Sequence, residues 1–300
     1  MIGRYAPSPT GTLHLGNLRT ALLAWLFARS AGSAFLMRIE DLDAGRVRPG
    51  LAEAQLADLA ALGIDWDPPV VTQSERLDAY AEAIARLDAE GALYPCYCTR
   101  REIREAASAP HGPFPEGAYP GTCRELTAGE RAEREAAGRA PALRLRAGGE
   151  RAAFADRLLG PVEAAVDDVV VRRNDGAPAY NLAVVVDDAA QGVEEVVRGA
   201  DLAETTPRQI VLARRLALPV PAYAHVPLML SPDGARLAKR HGAVTLADRL
   251  ARGQTPGEVR GELAASVGLA EPGENPGMEQ LLARFDPAAL PAEPTVLAPS

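Results

Sequence analysis

An α/β fold built on a parallel sheet follows from three features of this 300-residue chain. A short apolar start runs into Pro and Gly punctuation and then into an amphipathic stretch, which is the order strand, turn, helix. Ala34 to Ile39 (AFLMRI) follows as a second apolar run and completes a strand–helix–strand unit, whose right-handed crossover makes the two strands parallel. Tyr180 to Val186 (YNLAVVV) is continuously apolar and reads as a strand buried on both faces, the pattern of an interior parallel strand.

The elements follow in order. The first strand is read over Ile2 to Ala6. Asn17 is placed as N-cap of the first helix, where Leu18, Ala21, Leu22, Trp25, Leu26 and Arg29 recur at helical spacing before Gly32 stops it. Leu51 to Leu62 and Leu77 to Leu87 repeat that pattern and end at Gly63 and Gly91, with Gly-Ile-Asp-Trp-Asp-Pro-Pro between them read as loop. From Leu93 to Arg173 the character changes: three cysteines, Pro and Gly punctuation, and an Arg-rich stretch from Arg124 to Arg151 mark an inserted subdomain. Asn174-Asp175-Gly176 reads as a hairpin turn, Val193 to Arg198 as a further short strand, and Thr206-Pro207 as the opening of a helix that runs to Leu216. Ser231-Pro232-Asp233-Gly234 is a turn presenting Arg236-Leu237-Ala238-Lys239-Arg240 as a basic loop. Thr255-Pro256-Gly257-Glu258 opens the last clear helix with a capping box, and a loosely packed tail is expected beyond Gly268. The expected divisions are 1–92 and 174–245 for the two halves of the sheet domain, 93–173 for the insertion, and 246–300 for a short, mostly helical end.

Composition narrows the function. At 47% apolar residues the chain can bury a sizeable core, while no run approaches the eighteen or so residues of a membrane helix and no signal peptide opens it. A cytoplasmic protein is expected. A formal charge of −8 excludes a wholesale polyanion binder, so any nucleic-acid contact must come from a local basic patch. Of 32 Lys and Arg residues only Lys239 is lysine, which marks it as needed for its compact, flexible ammonium.

Chemistry gathers at three places. Where the first strand hands over to a helix, free N–H groups and the macrodipole favour an anion, and His14 and Asn17 sit at that mouth. Neither G-x-G-x-x-G nor G-x-x-x-x-G-K-[ST] is present, so the cradle is of another kind. Glu40, Asp41 and Asp43 fall at the carboxyl end of the second strand, the edge where open α/β sheets bind ligands. Cys96, Cys98 and Cys123 are the only cysteines, and an odd number without a signal peptide argues for a metal over a disulfide framework. C-x-C followed by a third Cys fits structural zinc, and general ligand chemistry selects His111 as the fourth ligand.

Taken together, R-Y-A-P-S-P-T-G…H-L-G-N, R-I-E-D, A-Y-N-L-A-V-V-V-D-D and V-R-G-A-D resemble the signatures of the glutamyl branch of the class I aminoacyl-tRNA synthetases. The resemblance implies a Rossmann-type, HUP-like core. It also implies that ATP, with Mg²⁺, is bound by His14, Gly16, Asn17 and Lys239, and that His14, Asn17, Lys239 and Arg240 act on the phosphates. The pocket for L-glutamate is implied to be Arg4, Tyr5, Ala6, Pro7, Ser8, Glu40, Tyr180 and Arg198, with Glu40 on the α-ammonium. The basic loop resembles the second class I signature with Ala238 in place of serine and Arg236 in place of the first lysine, which predicts slower activation. C-x-C…Y-x-x-x-C resembles the zinc site of glutamyl-Q tRNA(Asp) synthetases, implying Cys96, Cys98, Tyr119 and Cys123, with His111 the alternative to Tyr119.

Only sixty residues follow the basic loop, too few for the helical anticodon-binding region of a full glutamyl-tRNA synthetase. H-L-G-N-L-R and R-G-A-D-L lean the same way, toward the stand-alone catalytic-domain paralogues. What this implies is activation of L-glutamate by ATP without tRNA and transfer to queuosine in tRNA(Asp), by a monomer whose insertion offers arginines to RNA phosphates. The competing readings are a truncated glutamyl-tRNA synthetase charging a tRNA 3′ end and a non-catalytic zinc-binding paralogue. A small nucleotidyltransferase or pantothenate-synthetase-like ligase shares H-x-G-[HN] but leaves R-I-E-D unexplained.

Overall fold

The computed structural model describes residues 1–107, 118–231, 233–235, 237 and 244–296. The chain begins with β1 (Gly3–Tyr5), α1 (Leu15–Ser30), β2 (Phe35–Ile39), α2 (Leu51–Ala61), β3 (Asp67–Thr72) and α3 (Leu77–Ala89). β1, β2 and β3 run parallel, as the first strand–helix–strand unit requires. Gly3 sits under α1, where any Cβ would press on Ala28. α1 itself is buried nearly all round, because the sheet covers one side and the C-terminal helices the other.

The stretch expected as an insertion supplies β4 (Leu93–Cys96), α4 (Arg100–Ala107), α5 (Ala128–Ala136), β5 (Ala142–Leu145), β6 (Arg151–Asp156), β7 (Gly160–Ala165) and β8 (Val170–Arg172). β4, β5 and β8 make a separate antiparallel sheet. The β6–β7 hairpin instead joins the main sheet, where β6 pairs with a later strand. The chain returns through α6 (Tyr180–Ala190), β9 (Glu195–Gly199), α7 (Thr206–Arg215), β10 (Ala222–Val226) and β11 (Met229–Leu230). The main sheet has the order β3-β2-β1-β9-β10-β6-β7, parallel except for its last strand. The order therefore reverses direction between β1 and β9, and the crevice at their carboxyl ends is where an open α/β sheet receives a ligand. α8 (Leu246–Ala251), α9 (Pro256–Ala265), α10 (Met278–Arg284) and β12 (Thr295–Val296) complete the described chain. Among the described residues no helix is long and apolar enough to cross a membrane.

Four expectations need correction. Tyr180 to Val186 is the first part of α6, not a strand. A seven-residue apolar run fits either element, and here it is apolar all round because α6 packs against α3, α7 and β8. Asp67 to Thr72, within and beyond the stretch read as loop, is β3; its two prolines are tolerated because β3 is the outer strand of the sheet. Asn17 is not the N-cap: the helix starts three residues earlier with His14 in that role. The tail beyond Gly268 is packed, since Leu281 is fully buried, the Phe285 ring meets Phe27 edge-on at 5.2 Å, and β12 pairs with β11. Its Pro and Gly content conceals a few well-spaced apolar anchors. Thr255, by contrast, caps α9 with Glu258 in the reciprocal box its sequence predicts.

If α10 is part of the core, Leu281→Ala should cost about 2–5 kcal/mol, the range for deleting a buried leucine. Urea denaturation checks this; a loss below about 0.5 kcal/mol would mean that α10 is only loosely attached.

Candidate active site

The mouth of α1 explains the H-x-G-N spacing residue by residue. His14 has extended backbone, and its Nδ1 accepts the Asn17 N–H at 3.1 Å while Asn17 Oδ1 accepts the His14 N–H at 3.1 Å. Gly16 leaves room for the imidazole, as a Cβ there would lie 3.1 Å from the ring. With Nδ1 occupied as an acceptor, the neutral ring carries its proton on Nε2. Burial lowers the His14 pKa and so favours that neutral form. His14 is thus both helix cap and a fixed N–H donor at the helix mouth.

The far end of the chain reaches the same place. Leu15 donates its N–H to the Val244 carbonyl at 2.7 Å, His14 forms an antiparallel bridge with Thr245, and Leu237 lines the cavity beside His14. The chain just after the basic loop is therefore fastened at the start of α1, and Leu237 reaches the same cavity. Lys239 and Arg240, with Arg236 and Ala238, lie outside the described residues, as does His111.

A cavity of about 450 Å³ opens at the crevice between β1 and β9. Arg4, Tyr5, Ala6, Pro7, Ser8, His14, Gly16, Asn17, Glu40, Tyr180 and Arg198 all line it, so every described residue expected at the nucleotide and amino-acid sites meets in one space. Tyr5 and Asn17 are partly committed: the Tyr5 hydroxyl donates to the Asn17 carbonyl at 3.2 Å. Arg4 uses Nε and Nη2 to hold Asp188 at 3.2 and 3.3 Å. Glu40 Oε1 accepts from Arg38 Nη2 at 3.1 Å, and the Glu40 N–H donates to the Pro7 carbonyl. Burial raises the Glu40 pKa, with Arg38 and Arg4 working against the rise. The Tyr180 side chain remains 43% exposed, yet burial and Glu40 push its phenol up. Arg198 donates from Nε to His225 and from Nη2 to Thr206, and its buried Nη1 has no partner among the described residues.

Beneath the cavity lies a network that motif reading did not single out. Arg38, fully buried, donates to Asp188 at 2.7 Å and Gln191 at 2.7 Å, and its Nε lies 3.7 Å from Asp187. Asp187 accepts in turn from Arg76, Gln73 and Tyr80. Burial opposes the charge of Asp188, but Arg4 and Arg38 outweigh it and hold its pKa low. Two acids closing an apolar run, V-V-V-D-D, were the signal available in the sequence. On a strand they would face opposite sides; on α6 both turn inward. Gln55 is a second omission: fully buried, it donates to the Ser8 and Gly11 carbonyls at 3.0 and 2.6 Å and fixes the PSPTG loop.

The cysteines form a second cluster. The sulfurs of Cys96, Cys98 and Cys123 lie within 4.8 Å of one another, with Cys98 to Cys123 at 3.4 Å. The Tyr119 oxygen is 3.4 Å from Cys96 Sγ and 3.9 Å from Cys98 Sγ, and it accepts the Cys123 N–H at 2.8 Å. Sulfurs bound to tetrahedral zinc at about 2.3 Å stand about 3.8 Å apart, so this donor set fits such an ion. The Arg144 guanidinium lies 3.7 Å over the Tyr119 ring, while burial and the Cys96 thiol push the phenol up. A larger cleft of about 1080 Å³ runs from this cluster to Glu40 and Tyr180, lined also by Arg139, Arg173 and Arg208.

Similarity to known proteins extends over nearly the whole chain. The family described as tRNA synthetases class I (E and Q), catalytic domain, matches residues 1–263. The chain is 64% identical over 297 residues to the glutamyl-Q tRNA(Asp) synthetase of Nocardia farcinica, covering 98% of this chain and 92% of that protein. To the protein of the same name from Symbiobacterium thermophilum it is 55% identical, covering 98% and 95%. Among solved structures, a glutamate tRNA ligase from Elizabethkingia meningosepticum in complex with its amino acid superposes with a TM-score of 0.84 at 25% identity, over 100% of this chain and 67% of that one.

Asp188→Asn should destabilise the fold by about 3–5 kcal/mol, because it keeps the shape but leaves two buried guanidinium groups short of an anion. The urea midpoint checks this, and a shift worth less than about 1 kcal/mol would show that Asp187 and Glu40 suffice for Arg38.

Proposed function

This chain belongs to the catalytic-domain family of class I tRNA synthetases for glutamate and glutamine, and on that premise we propose that it activates L-glutamate with ATP and passes the glutamyl group to queuosine in tRNA(Asp). The observation that carries the reading is the single cavity in which an acid, two arginines and a phenol stand beside a capped helix mouth. Substantial identity to two glutamyl-Q tRNA(Asp) synthetases over nearly their whole length supports the choice of acceptor.

In this reading Glu40 pairs with the substrate's α-ammonium, and the free Nη1 edges of Arg4 and Arg198 take its carboxylates. Tyr180 supplies its phenol, while Tyr5, Ala6, Pro7 and Ser8 form the wall. His14 Nε2–H, the backbone N–H of Gly16, the side-chain amide NH2 of Asn17, and the loop carrying Lys239 and Arg240 surround the triphosphate. The α-carboxylate attacks the α-phosphorus, pyrophosphate leaves, and donors fixed before the reaction stabilise the charge that builds on it. A ring hydroxyl of queuosine then attacks the acyl carbon and loses its proton as AMP departs; no strong base is needed, because the acyl group is already activated. Mg²⁺, which accompanies ATP in this family, would neutralise phosphate charge. Within 93–173 the part outside the β6–β7 hairpin serves as the RNA-binding insertion, and the nucleobase enters through the larger cleft past Arg139 and Arg173. Cys96, Cys98, Tyr119 and Cys123 hold one structural zinc.

Labelled glutamate should be transferred to tRNA(Asp) bearing queuosine, but not to tRNA(Asp) lacking it or to tRNA(Glu). Charging of tRNA(Glu) at its 3′ end would favour the conventional synthetase, and absence of any adenylate would favour a non-catalytic paralogue. Elemental analysis of the purified chain should give one zinc per molecule, lost in Cys123→Ser; a metal-free, fully folded chain would remove the metal from the reading.

A further inference from the structure

Arg198 does not stand alone at the amino-acid site. It is paired in register with His225 across β9 and β10, which puts both side chains on one face of the sheet. Arg198 donates from Nε to His225 Nε2 at 3.1 Å and from Nη2 to Thr206 Oγ1 at 2.7 Å. His225 Nδ1 lies 2.6 Å from Asp156 Oδ2. Since Arg198 is a donor only, Nε2 must be the acceptor, and the imidazole is the neutral tautomer that donates its Nδ1–H to Asp156. Asp156 is saturated as well, accepting the backbone N–H groups of Leu158, Leu159 and His225. His225 is fully buried and stacks on Tyr223 at 6.0 Å, while Asp156 and Arg198 are 4% and 5% exposed. Nη1 of Arg198 is the member of this chain left without a partner, and the residue lines the cavity.

We infer that Asp156 and His225 are positioning residues for L-glutamate: they fix the Arg198 guanidinium by its Nε edge, so that Nη1 is presented end-on to a substrate carboxylate. The inference rests on the amino-acid site proposed above. It gives the β6–β7 hairpin a role at that site, because Asp156 is the last residue of β6 and reaches Arg198 through one imidazole. Arginine is required at this position in a specific geometry. A lysine could not bond His225, Thr206 and a carboxylate in one plane.

Glutamate-dependent exchange of labelled pyrophosphate into ATP tests this, with KM measured separately for L-glutamate and ATP in the wild-type chain and in His225→Phe, His225→Gln and Asp156→Asn. Phe keeps the ring stack and removes both nitrogens; Gln restores an acceptor toward Arg198. The expected result for His225→Phe is a KM for glutamate raised at least tenfold, with the KM for ATP within twofold of wild type and much of the loss recovered in His225→Gln. Should His225→Phe fail to fold, Asp156→Asn, which disturbs only the imidazole's anchor, is expected to raise the glutamate KM about threefold or more by the same criterion. A wild-type chain that exchanges normally while the variants leave the glutamate KM within twofold, or raise both KM values alike, would overturn the inference and leave the proposed function standing. A wild-type chain with no glutamate-dependent exchange would instead sink the functional reading, and this inference with it.

Discussion

The buried ion network around Arg38 is the constraint on which the rest of the structure depends. A fully buried guanidinium needs its charge and its N–H groups compensated, and Asp188, Glu40 and Asp187 do this for Arg38 from α6 and the end of β2. Asp188 also holds Arg4 of β1, and Asp187 holds Arg76 and Tyr80 from α3 and its approach. Desolvation punishes any member that loses its partner, so β1, β2, α3 and α6 are locked at one relative position. That position puts Arg4 and Glu40 at the carboxyl ends of neighbouring strands, with their remaining polar edges facing the cavity. Glu40 feels this most directly. Its pKa is raised while that of Asp188 is lowered, which marks it as the less compensated carboxylate.

Helix α1 contributes a second kind of constraint. Its cap is built by an imidazole instead of a hydroxyl or carboxylate, so the atom that completes the helix also fixes the tautomer and direction of a donor at the site. The pairing of Leu15 with Val244 and of His14 with Thr245 then fastens the chain that follows the basic loop to that mouth. Residues more than two hundred apart in sequence meet there because the backbone at the start of α1 has hydrogen-bonding groups free outside the helix.

The cysteine cluster stands on a separate antiparallel sheet, held to the main body through the same vocabulary of buried acids. Asp167 accepts the Tyr119 N–H and pairs with Arg208 of α7; Asp168 accepts from Tyr94, Arg124 and the backbone of Ala147. The loop that carries Tyr119 and Cys123 is thereby tied to the rim of the larger cleft, next to the arginines that line it.

Much was legible in the sequence. Local patterns determined the first strand–helix–strand unit, the cap at Thr255, the helix opening at Thr206-Pro207, the grouping of the three cysteines, and the motifs whose described site residues all line one cavity. These are features in which neighbouring residues act on each other, so their spacing carries the information. What tertiary structure alone decided was where an apolar run lies and which charges are interior. Tyr180 to Val186 became a helix because α3, α7 and β8 cover Leu182 to Val185 from several sides, and Asp187 and Asp188 became core residues because Arg38 and Arg4 arrive from distant strands. Asp67 to Thr72 became a strand because an outer position needs no second partner, and the tail became part of the core because α1 offered it an uncovered apolar face. The contact of His225 with Arg198 and Asp156 depends on strand order and register, set by long-range burial, and no window of sequence contains it.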